Sequence, residues 1–287
     1  MMNKTDFMAR IAKNIHDMKQ LKINYKYLYD KSERQEIFKI ARKISRYIPI
    51  NVEESRNTIN ENKLYKNFLS SIEIFNSDLI YNYFNNHLNR LTLVRSKTVL
   101  DDDAELEYEL KKKGNTKFYL NLPVTKLTIT NQMGFAHEMG HIPEIDKPRH
   151  SFLEYSEAIP MFLEYISALE CYGCNNAKDN FICERLSMTI NDAASLTKLF
   201  KRCESKNEIQ KVYFIQEFAD TYKFLESFNY TLQLIDIFEE DKETVTKEIE
   251  NIIKGKSLID VSEDLSIDTD ECKKLLKEYK RIYKEGY

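Results

Sequence analysis

The 287-residue sequence is poor in chain breakers, with 6 glycines and 5 prolines. That scarcity excludes a many-turned sandwich or barrel and favours long helices. An excess of basic charge is also missing: 43 Lys and Arg stand against 46 Asp and Glu. A net charge of -3 leaves no electrostatic footprint for DNA or RNA, so no nucleic-acid partner is expected. No run approaches the roughly 18 apolar residues of a membrane span. The opening MMNKTDFMARIAKNIHDMKQ scatters charge where a signal peptide needs an apolar core, so the expected setting is cytoplasmic, with no membrane association. Cysteines number 5, an odd set (Cys171, Cys174, Cys183, Cys203, Cys272) that argues for reduced thiols over a disulfide framework. Cys171 and Cys174 have CxxC spacing, but they punctuate an apolar helical stretch where cysteine serves as a small hydrophobe.

What remains is abundant helical patterning. Residues 1–90 read as consecutive amphipathic helices; Ile37, Phe38, Ile40, Ile44 and then Phe68, Leu69, Ile72, Phe75 recur at helical spacing between charged residues. Residues 91–122 change character, with RLTLVRSKTVL, ELEYEL and KFYLNL separated by a turn at Gly114-Asn115, which predicts a small, largely antiparallel sheet. Asp101, Asp102 and Asp103 read as a solvated turn. The helical period returns from Asn131 almost to the end, with breaks expected at Pro143–His150, Gly173–Asp179 and Gly255. The predicted fold class is therefore mostly α with a small antiparallel sheet, an α+β arrangement. A helical N-terminal region (1–90) forms one wall of a cleft against a second region (91–287).

The chemistry is concentrated in Gly134-Phe-Ala-His137-Glu138-Met-Gly-His141, an HExxH sequence in a predicted helix of about 130–142. Two histidines four residues apart share a helical face, so both imidazoles reach a single Zn2+ while Glu138 approaches a water on that ion. A catalytic zinc needs a third protein ligand. A third His six residues after His141 is excluded, because position 147 is Lys. The prolines at 143 and 148 end the helix, and SFLEYSEAIPMFLEYISALECY begins another at about 155–172, with Ser156 as a plausible N-cap. Glu157 in its first turn is the assigned third ligand, with Glu154, Glu144 and Asp146 as competitors.

FYLNLPVTKLTITNQMGFAHEMGH followed by SEAIPMFLEY resembles the catalytic core of the M3 family of zinc oligopeptidases, the thimet oligopeptidase and oligoendopeptidase F group. The likeness covers about residues 85–287. Gly140 matches the Gly of the family's HExGH pattern, and Glu157 and Glu164 match its two following acids. The resemblance implies a zincin-like (gluzincin) core, one Zn2+ per chain held by His137, His141 and Glu157, and a zinc metallopeptidase acting on oligopeptides or unfolded peptides. It implies Glu138 as general base, Glu164 as the acid that orients one imidazole, and Phe118–Leu122 as a strand along which the peptide backbone binds. A phenol would support the oxyanion, and Tyr230, or Tyr222, stands where the family places it. His150 reads as an exposed loop residue. The chain is shorter than typical members and has no His after His150, so the alternative expectation is a catalytically weak or inactive M3-like protein that binds zinc or peptide.

Overall fold

A computed structural model describes residues 31–49, 58–100, 104–109, 116–146, 155–172, 174–205, 208–268 and 272–285. In chain order the elements are α1 (Lys31–Ile44), β1 (Thr58–Ile59), α2 (Glu61–Ile72), a 3-10 turn (Glu73–Phe75), α3 (Asp78–Leu88), β2 (Leu91–Ser96), β3 (Glu105–Glu109), β4 (Lys117–Pro123) and β5 (Leu127–Thr128). Helices follow: α4 (Ile129–Gly140), α5 (Ile142–Asp146), α6 (Ala158–Tyr172), α7 (Cys174–Ser205), α8 (Glu208–Glu240), α9 (Lys242–Lys254), α10 (Leu258–Asp264) and α11 (Lys273–Glu285). The mostly helical α+β expectation therefore stands at the level of class.

Helix α6 is the hub. Every residue from Ala158 to Ala168 is buried, so the helix is wrapped on all sides and shows little amphipathic period. It packs against α2, α4, α7 and α8. Phe162 meets Phe75 and Phe238 with ring centroids 6.2 and 5.5 Å apart. Burying such a ring contributes about 1.5–3 kcal/mol. One continuous apolar core runs from Ile37 through α6 to Ile282, so the N-terminal helices and the HExxH helix share it.

Local sequence sets the helix ends. Asn60, Ser77, Asp241 and Ser257 are N-caps whose side chains accept from the backbone N–H three residues on. Gly255 ends α9 at φ 106°, the left-handed conformation glycine adopts without strain. The expected break at Gly173–Asp179 is narrower than its composition suggested, because α7 is already helical at Cys174 and continues to Ser205.

The sheet differs from expectation. Its strand order is β2-β4-β3, with β4 antiparallel to β3 but parallel to β2. The parallel pairing arises because the chain from β2 reaches β4 only after β3 has taken the other edge. A separate two-residue ribbon pairs β1 with β5. Because β4 is the central strand, its backbone is paired with β2 from Phe118 to Leu122 and with β3 from Phe118 to Asn121, and this stretch has no free edge to offer a peptide. The Gly114-Asn115 turn and Asp101–Asp103 lie outside the described residues.

Candidate metal centre

The HExxH residues sit at the C-terminal end of α4. Asn131 pins the start of this helix, its Oδ1 accepting the Thr128 N–H at 2.8 Å. The four-residue spacing brings His137 Nε2 within 3.3 Å of His141 Nε2. Gly140 lies against the first turn of α6: a Cβ there would stand 2.5 Å from the Cα and 2.8 Å from the N of Pro160. Only glycine permits that approach, and the approach delivers Glu157, the residue immediately before α6.

Glu157 Oε2 lies 3.1 Å from His137 Nε2 and 3.4 Å from His141 Nε2. With the imidazole pair at 3.3 Å, three potential ligand atoms form a nearly equilateral triangle. Tetrahedral zinc with bonds of about 2.0–2.2 Å places its ligand atoms about 3.3–3.6 Å apart. Glu157 Oε2 is also buried without a hydrogen-bond partner, although it lies this close to both rings. An orphaned carboxylate oxygen facing two imidazole nitrogens fits a cation at their common focus.

The surroundings fix these groups. Glu164 Oε1 is 2.7 Å from His137 Nδ1, a contact that places a proton on Nδ1 and leaves Nε2 with its lone pair. Arg185 on α7 pairs with Glu164, its Nε donating to Oε2 at 2.5 Å. Lys223 on α8 stands 2.8 Å from Glu157 Oε1. The backbone N–H of Glu157 donates to Ser227 Oγ at 3.3 Å, and Thr231 Oγ1 donates to the Ala158 carbonyl at 3.1 Å. Helix α8 thus clamps the start of α6.

Electrostatics follow from burial and these partners. Burial pushes the His137 imidazole down to about 4, so it is neutral and able to act as a ligand near pH 7. For His141, burial acts downward, but the Glu157 carboxylate and the nearby Glu138 and Glu144 outweigh it and raise its pKa. Burial likewise works against a charged Glu157, yet His137, His141 and Lys223 hold its carboxyl well below the usual carboxylate range. It is an anion at neutral pH.

Glu138 joins the same cluster, one of its ligand atoms lying within 4.8 Å of those of both histidines. Its Oε2 accepts the Leu106 N–H of β3 at 3.0 Å. That contact draws the carboxylate toward the sheet and toward a 440 Å³ cavity lined by His137, Glu138, Glu164 and Arg185 and by apolar Met133 and Phe224. The arrangement leaves Glu138 beside the triangle.

Tyr230 is not brought to the histidines. It is 1% exposed, its hydroxyl donates to the Leu258 carbonyl at 3.1 Å, and burial raises its pKa. Its place on α8 turns it toward α10 and the Tyr155 ring, 5.4 Å away, so this phenol faces no substrate. Tyr222 is also buried.

Of the competing acids, Asp146 is committed to His87 Nε2 at 2.8 Å and the Tyr83 hydroxyl at 3.2 Å. Burial pushes Glu144 up to about 7. Glu154 and His150 lie outside the described residues. Cys171, Cys183, Cys203 and Cys272 are unpaired thiols, and the side chain of Cys174 is not described.

Arg185, Lys223, Ser227 and Thr231 were absent from the sequence reading. A signal existed: Lys223, Ser227 and Thr231 recur every four residues, marking a polar stripe along one face of a helix whose same stretch also carries Glu226 and Asn229.

No family model matches the chain, and no curated protein or solved structure matches it.

Proposed function

We propose that the chain is a zinc-dependent metallopeptidase of the M3-like, gluzincin kind, with a zincin-like core in which His137, His141 and Glu157 hold one Zn2+. The observation that carries this reading is the triangle of two imidazole nitrogens and a carboxylate oxygen with edges of 3.1, 3.3 and 3.4 Å. The donor set fits zinc: two imidazoles that are ligands when neutral, and one ionised carboxylate. A zinc ion bound there supplies Lewis acidity, bringing a bound water to a pKa of about 7 and polarising a peptide carbonyl.

The chain's own residues divide the remaining work. Glu138 takes a proton from the attacking water and returns it to the departing amine nitrogen. Glu164, backed by Arg185, holds the His137 ring in the tautomer that presents Nε2. The cavity beside Glu138 accommodates a side chain of an oligopeptide or unfolded peptide. The edge strands of the sheet are β2 and β3, and β3 is the one that reaches the site, through Leu106. An extended peptide added to β3 would run past Glu138.

Glu138→Gln tests the assignment. The substitution should preserve zinc stoichiometry and abolish cleavage of a quenched fluorogenic peptide library; undiminished turnover removes Glu138 from the role of base. The burial of Tyr230 favours a second reading, a zinc-binding protein with weak or no catalysis. Stoichiometric zinc in wild-type protein with no turnover across the library would select it.

A further inference from the structure

We propose that Lys223 is a catalytic residue of this site: its ammonium neutralises the charge that develops on the peptide carbonyl oxygen. The proposal rests on the peptidase reading and assigns the role that Tyr230 does not fill.

Three observations place Lys223 there. Its Nζ is 2.8 Å from Glu157 Oε1, and the other oxygen of the same carboxylate faces His137 and His141. The ammonium therefore lies one hydrogen bond and one carboxylate width from the ligand triangle. The Lys223 side chain is 25% exposed, so it is open to solvent although its partner Glu157 is buried. The Phe224 ring centroid, 5.1 Å from Nζ, is a further neighbour that favours the charged form. Among the described residues the other cation near the histidines is Arg185; its Nε and Nη2 face Glu164, and Nη2 also lies 3.5 Å from His137 Nδ1, on the opposite side of that ring from Glu157.

An ammonium carries three donors, so pairing with Glu157 is compatible with stabilising a second anion. In the first step the water oxygen bonds to the carbonyl carbon, the water proton passes to Glu138, and the carbonyl π pair moves onto oxygen beside Lys223. In the second the carbonyl re-forms, the C–N bond breaks, and the nitrogen takes the proton from Glu138. Lys223 transfers no proton in either step; it is a fixed positive charge whose value is greatest when the oxygen is an anion.

The test compares zinc-loaded wild type, Lys223→Met and Lys223→Arg. It measures zinc stoichiometry, kcat and KM on a fluorogenic peptide, and the Kd of a phosphonamidate peptide, a tetrahedral anion. In Lys223→Met, zinc should be retained, KM should stay within about twofold and kcat should fall about 100-fold, with a comparable weakening of phosphonamidate binding. Lys223→Arg should recover most of both. Unchanged kcat per bound zinc in Lys223→Met, whether or not some zinc is lost, overturns the proposal and leaves Lys223 as a charge partner of Glu157. Absence of turnover in wild type would instead defeat the peptidase reading, and an unchanged phosphonamidate Kd in Lys223→Met would then remove Lys223 from anion recognition as well.

Discussion

Replacing Gly140 by alanine adds one methyl group where α4 and α6 touch, and the geometry says what that methyl does. It would meet Pro160 Cα at 2.5 Å and Pro160 N at 2.8 Å, both backbone atoms that cannot rotate away. Restoring ordinary van der Waals separation requires the helices to part by about 0.9 Å. Glu157 precedes Pro160 by three residues and moves with it, so ligand edges of 3.1 and 3.4 Å open to about 4 Å, beyond the span of tetrahedral zinc. Elsewhere in a helix the same substitution would stabilise by about 1 kcal/mol. Here overpacking costs about 1–3 kcal/mol, for a net loss on the order of 0–2 kcal/mol and a melting point lower by up to roughly 8 °C. Zinc affinity should fall about 10–100-fold, as it does when a ligand's positioning is disturbed. Thermal melts with and without zinc, and zinc competition against a chromophoric chelator, measure both. A higher melting point with unchanged zinc affinity would refute the claim that this helix contact sets the ligand geometry.

Other consequences are as direct. Glu164→Gln removes the anion that holds the His137 Nδ1 proton at 2.7 Å, and should weaken zinc binding about 10–100-fold while leaving the far-ultraviolet dichroism of the fold intact. Zinc affinity should also depend on pH with a defined sign. The raised pKa of His141 means that the metal-free site holds a proton there, which zinc must displace; below that pKa the apparent Kd should weaken about tenfold per pH unit. Isothermal titration in buffers of different ionisation enthalpy should register the released proton, and a pH-independent Kd between 5 and about 7 would contradict the assignment.

Among the described residues, the helices, the strand positions and the HExxH helix were legible because each rests on local signals: period, caps and breakers; residues 1–30 of the predicted N-terminal helical region lie outside the described residues. Thr128 and Asn131 open the motif helix within a residue or two of its expected start, whereas Pro143 does not begin a break as expected but lies inside α5, and Pro148 lies outside the described residues. The start of α6 was legible to within a residue from SEAIP, but Glu157 stands immediately before the helix, in the cap place expected of Ser156, rather than in its first turn. What the local pattern does not carry is which element lies beside which. The parallel pairing of β2 with β4 is a long-range choice that no turn dipeptide encodes. That β4 is central and β3 is the edge follows only from that choice, so the strand suggested for peptide docking moved from Phe118–Leu122 to Glu105–Glu109. Tyr230 shows the same boundary. Whether a tyrosine on a buried helix turns to a groove or to a neighbouring carbonyl depends on one helical rotation, and here the Leu258 carbonyl takes it. Arg185 and Lys223 each stand within a few residues of an acid, Glu184 and Glu226, in mixed stretches, a weak mark in sequence but a strong one in three dimensions, because a half-buried cation requires an anion.

The central claim is that His137, His141 and Glu157 share one divalent ion. Zinc K-edge X-ray absorption on protein loaded with one equivalent measures it. The account predicts two imidazole nitrogens and carboxylate oxygen at about 2.0–2.2 Å, with no sulfur shell. Scattering from sulfur at about 2.3 Å, or a protein that takes up no zinc, would contradict it.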